Sequence, residues 1–252
     1  MSRNWLACAV ALFAALAAHA ALADPRLDEV VYSPYVENHE FELETRYAQE
    51  SGGPLGGADT LVLETEYGFT DRFSLALVSA LTRQPGEQSR FTKVGLEGVS
   101  YLGAIPNLGV DAALYLEYAK GLNGQTDGAE AKLLLAKTSG RFQGLFNFIV
   151  ERPFSGPRDE QFAAYGYAAS ATWRAVGNLR LGLEAFGDLG DDHGFLTRSE
   201  GAYVGPQLKW EGRPTGSPVE IDVDAGWLAA VGANQREGRG QARLAVELEH
   251  VF

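Results

Sequence analysis

The C-terminal stretch decides the fold class of this chain, because residues 241–252 read Q-A-R-L-A-V-E-L-E-H-V-F. Alternate side chains of a β-strand point to opposite faces. One face of this stretch is largely apolar and carries Ala242, Leu244, Val246, Leu248, His250 and Phe252. The other face is polar or charged and carries Gln241, Arg243, Glu247 and Glu249. The pattern predicts a strand that ends on an aromatic residue in phase with its apolar face.

The opposite end of the chain predicts a secretory leader. Arg3 precedes an apolar run over residues 5–18, and the small residues that follow offer A-x-A cleavage sites. This order is that of a signal peptide. A helix that crosses ~30 Å of hydrocarbon needs a longer apolar run. We predict that residues 1–23 are removed and that Asp24 becomes the N-terminus.

Composition excludes several classes of protein. Cys8 is the single cysteine and lies in the predicted leader, so the mature chain cannot be a disulfide-stapled scaffold. Arg3 is the only charged residue of the leader, so its removal changes the formal net charge from −12 to −13. Such a surface repels nucleic acid, and we expect no nucleic-acid partner. No mature segment contains the ~18 consecutive apolar residues of a transmembrane helix.

The mature sequence predicts twelve strands separated by connections of alternating length. Each strand is close to the ~9–11 residues that a tilted strand needs to cross a bilayer. The predicted strands are residues 39–48, 59–70, 72–82, 91–102, 108–119, 129–138, 142–151, 162–174, 178–188, 201–211, 218–230 and 241–252. Short connections are predicted near Asp71 and at 103–107, 139–141, 175–177 and 212–217. Longer ones are predicted at 49–58, 83–90, 120–128, 152–161, 189–200 and 231–240.

This alternation of connections is typical of outer-membrane barrels, which have short periplasmic turns and longer extracellular loops. An even number of strands lets such a barrel close without a free edge. The prediction is therefore an all-β, antiparallel up-and-down transmembrane β-barrel of about twelve strands over residues 39–252. Residues 24–38 would form a periplasmic N-terminal segment. A soluble β-sandwich or a lipocalin-like barrel is the alternative.

Aromatic residues support the transmembrane prediction, since rings gather at the two membrane interfaces of such barrels. One predicted belt lies at the ends with short connections and comprises Phe69, Phe73, Phe142, Trp173, Trp210 and Phe252. The other lies near the opposite ends and comprises Tyr47, Tyr118, Tyr165 and Trp227. In a soluble sandwich the same rings would fill the core.

If the apolar face of each strand contacts lipid, the opposite face lines the lumen. On that face acidic side chains outnumber basic ones by more than two to one. Charges there need water or partners. The pore-lining candidates are Glu42, Glu44, Arg46, Glu64, Glu66, Glu97, Asp111, Glu117, Arg180, Glu184, Glu220, Asp222, Asp224, Arg243 and Glu247. They indicate a cation-favouring pore. A plugged structural barrel with a merely polar interior is the alternative.

Catalytic patterns are sparse. Asp191, Asp192 and His193 form an acidic loop whose Asp-x-His pair could activate a water molecule. The spacing of Asp222 and Asp224 is that of a second pair used by omptin proteases. Their order and strand position differ from the omptin pattern, so an outer-membrane hydrolase is only a third possibility. We expect no catalytic residues, no metal site and no cofactor, because no paired His, Ser or Cys arrangement accompanies these acids.

One family resemblance concerns residues 67–75, Y-G-F-T-D-R-F-S-L, and residues 39–47, H-E-F-E-L-E-T-R-Y. With the placement of Phe252, these stretches resemble Gram-negative outer-membrane proteins grouped as the "MetA pathway of phenol degradation" family. The resemblance implies a transporter-like barrel for small aromatic or other hydrophobic compounds. It implies no catalytic residues.

The sequence therefore predicts a porin-like channel of the bacterial outer membrane, reached after secretion to the periplasm. Its expected partners are outer-membrane lipid, a small-molecule solute and the barrel-assembly machinery. The C-terminal strand resembles the closing strand of outer-membrane barrels, in which a final Phe commonly forms part of the assembly signal. Phe252 is the predicted signal here.

Overall fold

The structure is a computed structural model that describes residues 27–157, 161–196 and 201–252. The predicted leader, its cleavage site and Asp24 lie outside the described residues. None of the helical segments in the described part of the chain has the length and hydropathy that a membrane-spanning helix requires.

Twelve long strands build the fold, as the alternation of apolar and polar residues predicts. A two-residue strand, β10, extends the end of β9. The strands are β1 Glu40–Ser51, β2 Asp59–Thr70, β3 Phe73–Arg83, β4 Arg90–Ile105, β5 Val110–Gly121, β6 Gly128–Ser139, β7 Phe142–Pro153, β8 Ala164–Val176, β9 Leu179–Asp191, β10 Gly194–Phe195, β11 Gly201–Gly212, β12 Val219–Gly232 and β13 Gly240–Val251.

The twelve long strands form one closed antiparallel barrel. Each pairs with its neighbours in sequence, apart from β9, which pairs with β11 across the short β10. The first and last long strands close the barrel along a continuous register from Glu40 opposite Val251 to Ser51 opposite Gly240. Closure gives every strand two partners and removes the edges that would otherwise leave backbone groups unpaired.

The two faces of the wall differ as the period-two pattern predicts. Apolar side chains point outward, so that Leu77 is 61% and Leu116 is 55% exposed. Charged side chains point inward, and Glu64 and Glu97 are each only 3% exposed. An apolar outer face of this kind is typical of barrels that contact lipid, while the inner face needs water or ion partners.

The predicted aromatic belts also lie on the outer face. Phe142 is 63% exposed and Phe252 77% exposed at one end of the barrel, and Tyr118 is 50% exposed near the other. Amphipathic rings in these positions match the two interfaces of a membrane. The structure therefore excludes a sandwich core as their location.

The connections differ in length at the two ends of the barrel, as predicted. We call the end with the short connections, which includes residues 140–141, the turn end. The two-residue turn there has a positive φ of 60° at Gly140, which fits the tight turns that join antiparallel strands. We call the other end, with connections such as residues 84–89 and 122–127, the loop end. The first residue of β1 and the last residue of β13 both lie at the turn end.

Residues 27–38 enter the barrel instead of extending away from it. At the turn end the backbone N–H of His39 donates to the carbonyl of Gly68 at 2.8 Å. From there the segment runs through the interior towards the loop end, where Asp28 pairs with Lys93 at 3.3 Å. Burial of apolar side chains such as Val31 against the inner wall stabilises the segment in this position. The part of residues 24–38 that the structure describes therefore lies in the lumen.

Candidate functional site: the barrel lumen

Two cavities lie in the interior formed by the described residues. The turn-end cavity has a volume of about 550 Å³, and the loop-end cavity about 430 Å³. Three residues border both cavities, namely Leu27, Tyr32 and Arg46. The guanidinium carbon of Arg46 lies 5.8 Å from the centre of the Tyr32 ring. These two side chains, one from the N-terminal segment and one from β1, separate the cavities.

Carboxylates form two rows that cross adjacent strands, and all of them except Glu220 border the turn-end cavity. We call the row nearest the turn end the outer acidic row; it comprises Glu66, Glu42, Glu249 and Glu220, which lie directly opposite one another from β2 to β12. We call the next row the inner acidic row; it comprises Glu64, Glu44, Glu247, Asp222 and Glu211. Directly opposed residues on one face lie ~4.5–5.5 Å apart, so like charges in such a row destabilise it unless they are compensated.

Arginine compensates part of the inner acidic row. Arg46 contacts Glu44 and lies 2.7 Å from the Oε2 atom of Glu64. At the other end of the row, the Nε atom of Arg180 lies 3.7 Å from Glu211. Charge-assisted pairs of this kind offset the cost of removing their members from water only when the geometry is good.

Lysine and arginine also compensate single acids beyond these pairs. Asp224 lies 2.8 Å from the Nζ atom of Lys209 and accepts a hydrogen bond from Gln207 at 2.7 Å. Glu220 lies 3.1 Å from Arg213. Of the two ways to compensate an inward charge, water or a partner, Asp224 and Glu220 therefore have a basic partner.

The centre of the two rows holds a cluster of three acidic side chains. Glu42, Glu247 and Glu249 have carboxylate oxygens within 4.8 Å of one another. Among the described residues, no Lys or Arg forms a salt bridge with these three carboxylates. Water, mobile cations or shared protons in the turn-end cavity must therefore offset their mutual repulsion. In their ionised form these carboxylates would attract positive solutes and repel negative ones.

The loop-end cavity is also charged, but its lysines are paired. Lys93 lies 3.0 Å from Glu117, and Lys132 lies 3.0 Å from Glu130. Both lysines also bind the N-terminal segment, through Asp28 at 3.3 Å and Glu29 at 2.5 Å. The segment thus supplies acidic partners for basic residues of the wall.

One side of the lumen is apolar, because the closed barrel brings together apolar residues at inward positions of several strands. Val31 of the N-terminal segment packs against a cluster on the inner wall that includes Phe186, Tyr203 and Leu228. Phe186 and Leu228 are completely buried. The guanidinium carbon of Arg243 lies 4.2 Å from the centre of the Phe186 ring. Arg243 also borders the turn-end cavity, so it lies between the apolar cluster and the acidic residues.

The structure brings most of the predicted pore-lining residues to the two cavities. The turn-end cavity is bordered by Glu42, Glu44, Arg46, Glu64, Glu66, Glu184, Asp222, Asp224, Arg243 and Glu247. The loop-end cavity is bordered by Arg46, Glu97 and Glu117. Three predicted residues border neither cavity: Asp111, Arg180 and Glu220. Asp111 instead accepts hydrogen bonds from the hydroxyls of Tyr35 at 2.8 Å and Tyr101 at 2.7 Å.

The residues considered for hydrolysis are not brought together. His193 follows the loop end of β9, is 76% exposed in its side chain and lies 2.9 Å from Asp192. Asp222 and Asp224 lie in the turn-end half of β12 and line the cavity there. The structure therefore separates the two acidic pairs that an omptin-like site would combine. Asp191, Asp192 and His193 themselves form a compact exposed group.

Sequence reasoning missed the residues that hold the N-terminal segment. Asn147 on β7 and Tyr115 on β5 contact this segment, and both are almost fully buried. The available signal is the short run Val30, Val31, Tyr32 between the leader and the first strand. An apolar and aromatic run of this kind is unusual in a solvated linker.

Comparison with known proteins shows what the fold resembles. No protein-family model and no curated protein matches the chain. The crystal structure of the COG4313 outer membrane channel from Pseudomonas putida F1 aligns with a TM-score of 0.57 and 11% identity, over 92% of this chain and 100% of that one. The NanC porin aligns with a TM-score of 0.56 and 9% identity, over 83% and 100% of the two chains.

A third solved structure, the KdgM porin, aligns with a TM-score of 0.53 and 12% identity over 84% of this chain and 99% of that one. It has also been solved in complex with disordered oligogalacturonate. At these identities the likeness concerns the fold alone. The chain therefore has the all-β, closed twelve-stranded fold of outer-membrane channels and porins.

Proposed function

We propose that this chain is a porin-like channel of the bacterial outer membrane that passes small solutes and favours cations. In this proposal the turn end faces the periplasm, the outer face contacts lipid, and the barrel-assembly machinery recognises the C-terminal strand with Phe252. The observation that carries the proposal is the surplus of carboxylates around the turn-end cavity, where Glu42, Glu247 and Glu249 approach within 4.8 Å of one another.

The physical argument rests on charge in a confined space. A protein wall of low dielectric concentrates the field of the acidic rows in the lumen. A cation entering the turn-end cavity is stabilised, and an anion is repelled. A polyanion such as the oligogalacturonate bound to the KdgM porin is disfavoured by the same rows.

The aromatic or hydrophobic class of solute is proposed from the resemblance of residues 67–75 to the phenol-degradation family. Tyr32, Tyr115 and Tyr203 border the loop-end cavity, and Tyr32, the least buried of the three, is the ring that such a solute would contact. Combining both arguments, small aromatic cations are the best test solutes.

A structural barrel without transport is the second candidate. It is favoured by the N-terminal segment and the apolar cluster around Phe186, which together fill part of the interior. The two candidates differ in one observable, which is whether folded protein carries solute across a bilayer.

Solute flux into proteoliposomes tests the proposal. Benzyltrimethylammonium and benzenesulfonate are well suited, because both are aromatic and permanently charged and therefore cross protein-free bilayers poorly. We expect the cation to enter faster than the anion, and protein-free liposomes are the control. Entry of both solutes at the protein-free rate, from barrels shown to be folded by their heat-modifiable electrophoretic mobility, would favour the structural candidate.

A further inference from the structure

We propose that residues 27–36, here called the plug, form a displaceable stopper that must leave its position in the lumen for the channel to conduct. This inference rests on the proposed channel function. It concerns a part of the chain outside the barrel wall, and the experiment below separates the two ideas.

The plug lies between the two cavities, beside Arg46. Tyr32 and Leu27 of the plug border both cavities. Arg46 is the fixed partner, since Glu44 and Glu64 hold it on the wall. Displacement of Tyr32 therefore joins the cavities and leaves Arg46 in place.

Two ion pairs hold the part of the plug that lies nearest the loop end. Asp28 lies 3.3 Å from Lys93, and Glu29 lies 2.5 Å from Lys132. Lys132 is 3% exposed and Glu29 14% exposed in their side chains, so water reaches one partner more than the other. Each lysine also has an acidic partner on the wall, Glu117 or Glu130, which remains when the plug leaves. The wall therefore keeps its lysines compensated in both states.

The ring of Tyr32 occupies a defined site. Its centroid lies 4.8 Å from that of Tyr115, and the ammonium group of Lys132 lies 4.4 Å from it. The Tyr32 hydroxyl donates to Glu97 at 3.3 Å. Aromatic packing and a cation–π contact stabilise the ring at this point.

Asn147 acts as a latch on the plug backbone. Its Oδ1 atom accepts a hydrogen bond from the backbone N–H of Tyr32 at 2.7 Å, and its Nδ2 atom donates to the carbonyl of Tyr32 at 3.0 Å. Asn147 is completely buried. One side chain thereby satisfies both backbone polar groups of Tyr32, a residue outside the strands.

The plug is separable from the barrel because no strand pairing joins them. Among the described residues, the first backbone–backbone hydrogen bond to the wall after residue 27 is that of His39. The ladder from β1 to β13 is complete without the plug. Side-chain contacts alone hold it, and its tether at His39 leaves it free to swing out at the turn end without breaking a strand.

The decisive experiment compares an unplugged and a locked barrel in planar bilayers, using the full chain. The unplugged variant replaces residues 27–36 with a Gly/Ser linker of equal length. The locked variant combines Glu29→Cys and Lys132→Cys, which a short bis-maleimide joins; no other cysteine is present in the described residues. The single Glu29→Cys variant treated with the same reagent is its control, and Ser33→Ala, at an exposed plug position, is the matched control for substitution within the plug.

We expect the unplugged variant to conduct several-fold more than the parent protein, and Asn147→Ala to conduct more than the parent as well. We expect cross-linking to lower the conductance of the double-cysteine variant to the bilayer background while leaving the single-cysteine control unchanged. Equal conductance of parent and unplugged barrels, or of locked and unlocked ones, overturns the plug and leaves the channel intact. Absence of conductance in folded, unplugged barrels overturns the channel function itself.

Discussion

Replacing Arg46 with Gln is expected to destabilise the barrel strongly, because two inward carboxylates lose their shared cation. Arg46 is 5% exposed, and Glu64, 2.7 Å away, is 3% exposed. Glu44 is its second partner. In the variant these acids lie beside each other across β1 and β2 with no arginine between them.

The size of the effect follows from burial. Removing one partner of a buried ion pair costs ~3–5 kcal/mol, because the other charge remains uncompensated. Arg46 borders both cavities, so water can enter and partly screen the acids. We therefore expect a loss of about 3 kcal/mol in the free energy of unfolding, at the lower end of that range.

Neutralising the whole cluster should reverse most of this loss. The triple variant Arg46→Gln, Glu44→Gln and Glu64→Gln contains no uncompensated charge at this point, and we expect it to unfold within about 1 kcal/mol of the parent, since replacing a complete buried cluster is often nearly neutral. The control is Arg213→Gln. Its pair with Glu220 is exposed, and such pairs contribute ~0–1 kcal/mol.

Urea unfolding of the detergent-solubilised protein, followed by tryptophan fluorescence, measures these differences. Equal stability of Arg46→Gln and Arg213→Gln would refute the argument. A triple variant no more stable than Arg46→Gln alone would refute it as well, because the lost stability could then not be due to uncompensated carboxylates.

Three further predictions concern orientation, assembly and selectivity. An epitope inserted at Gly124, at the loop end, should be labelled on intact cells, whereas one at Gly216, at the turn end, should not; labelling at Gly216 would contradict the orientation. Deleting Phe252 should reduce the amount of heat-modifiable barrel in outer-membrane fractions, because the assembly machinery then lacks the aromatic end of the closing strand; unchanged amounts would contradict this role. Changing Glu247 and Glu249 together to Gln should lower the cation-to-anion permeability ratio while conductance persists, because both belong to the surplus carboxylates; an unchanged ratio would place selectivity elsewhere.

The wall of the barrel could be predicted from the sequence because its determinants are local. Side-chain alternation in a stretch such as residues 40–51 sets both the strand and its two faces. Turn residues such as Gly140 mark where one strand ends and the next begins. The predicted ends of the strands were less exact. β4 continues to Ile105, beyond its predicted end at residue 102, and β5 begins at Val110 instead of residue 108. Hydrogen bonding to neighbouring strands, which the sequence of one strand does not contain, sets these ends.

The filling of the lumen could not be predicted, because it depends on contacts between residues far apart in the chain. Tyr32 meets Asn147 across 115 positions, and no local pattern announces that pair. The inward positions of Phe186 and Leu228 follow the predicted parity, but only the closed barrel brings them together with Val31. Likewise, ion pairs such as Lys209 with Asp224 require the register of two strands, which the sequence of one strand does not contain.

The most direct test of the central proposal is the reversal potential of the purified protein in a planar bilayer under a KCl gradient. An acid-lined lumen predicts a potential that indicates preference for K⁺ over Cl⁻. Mobile ions screen the carboxylates over ~10 Å at 0.1 M and over ~3 Å at 1 M, so the preference should decrease as the salt concentration rises. A clear preference for Cl⁻, or the absence of any current from folded barrels, would contradict a cation-favouring channel.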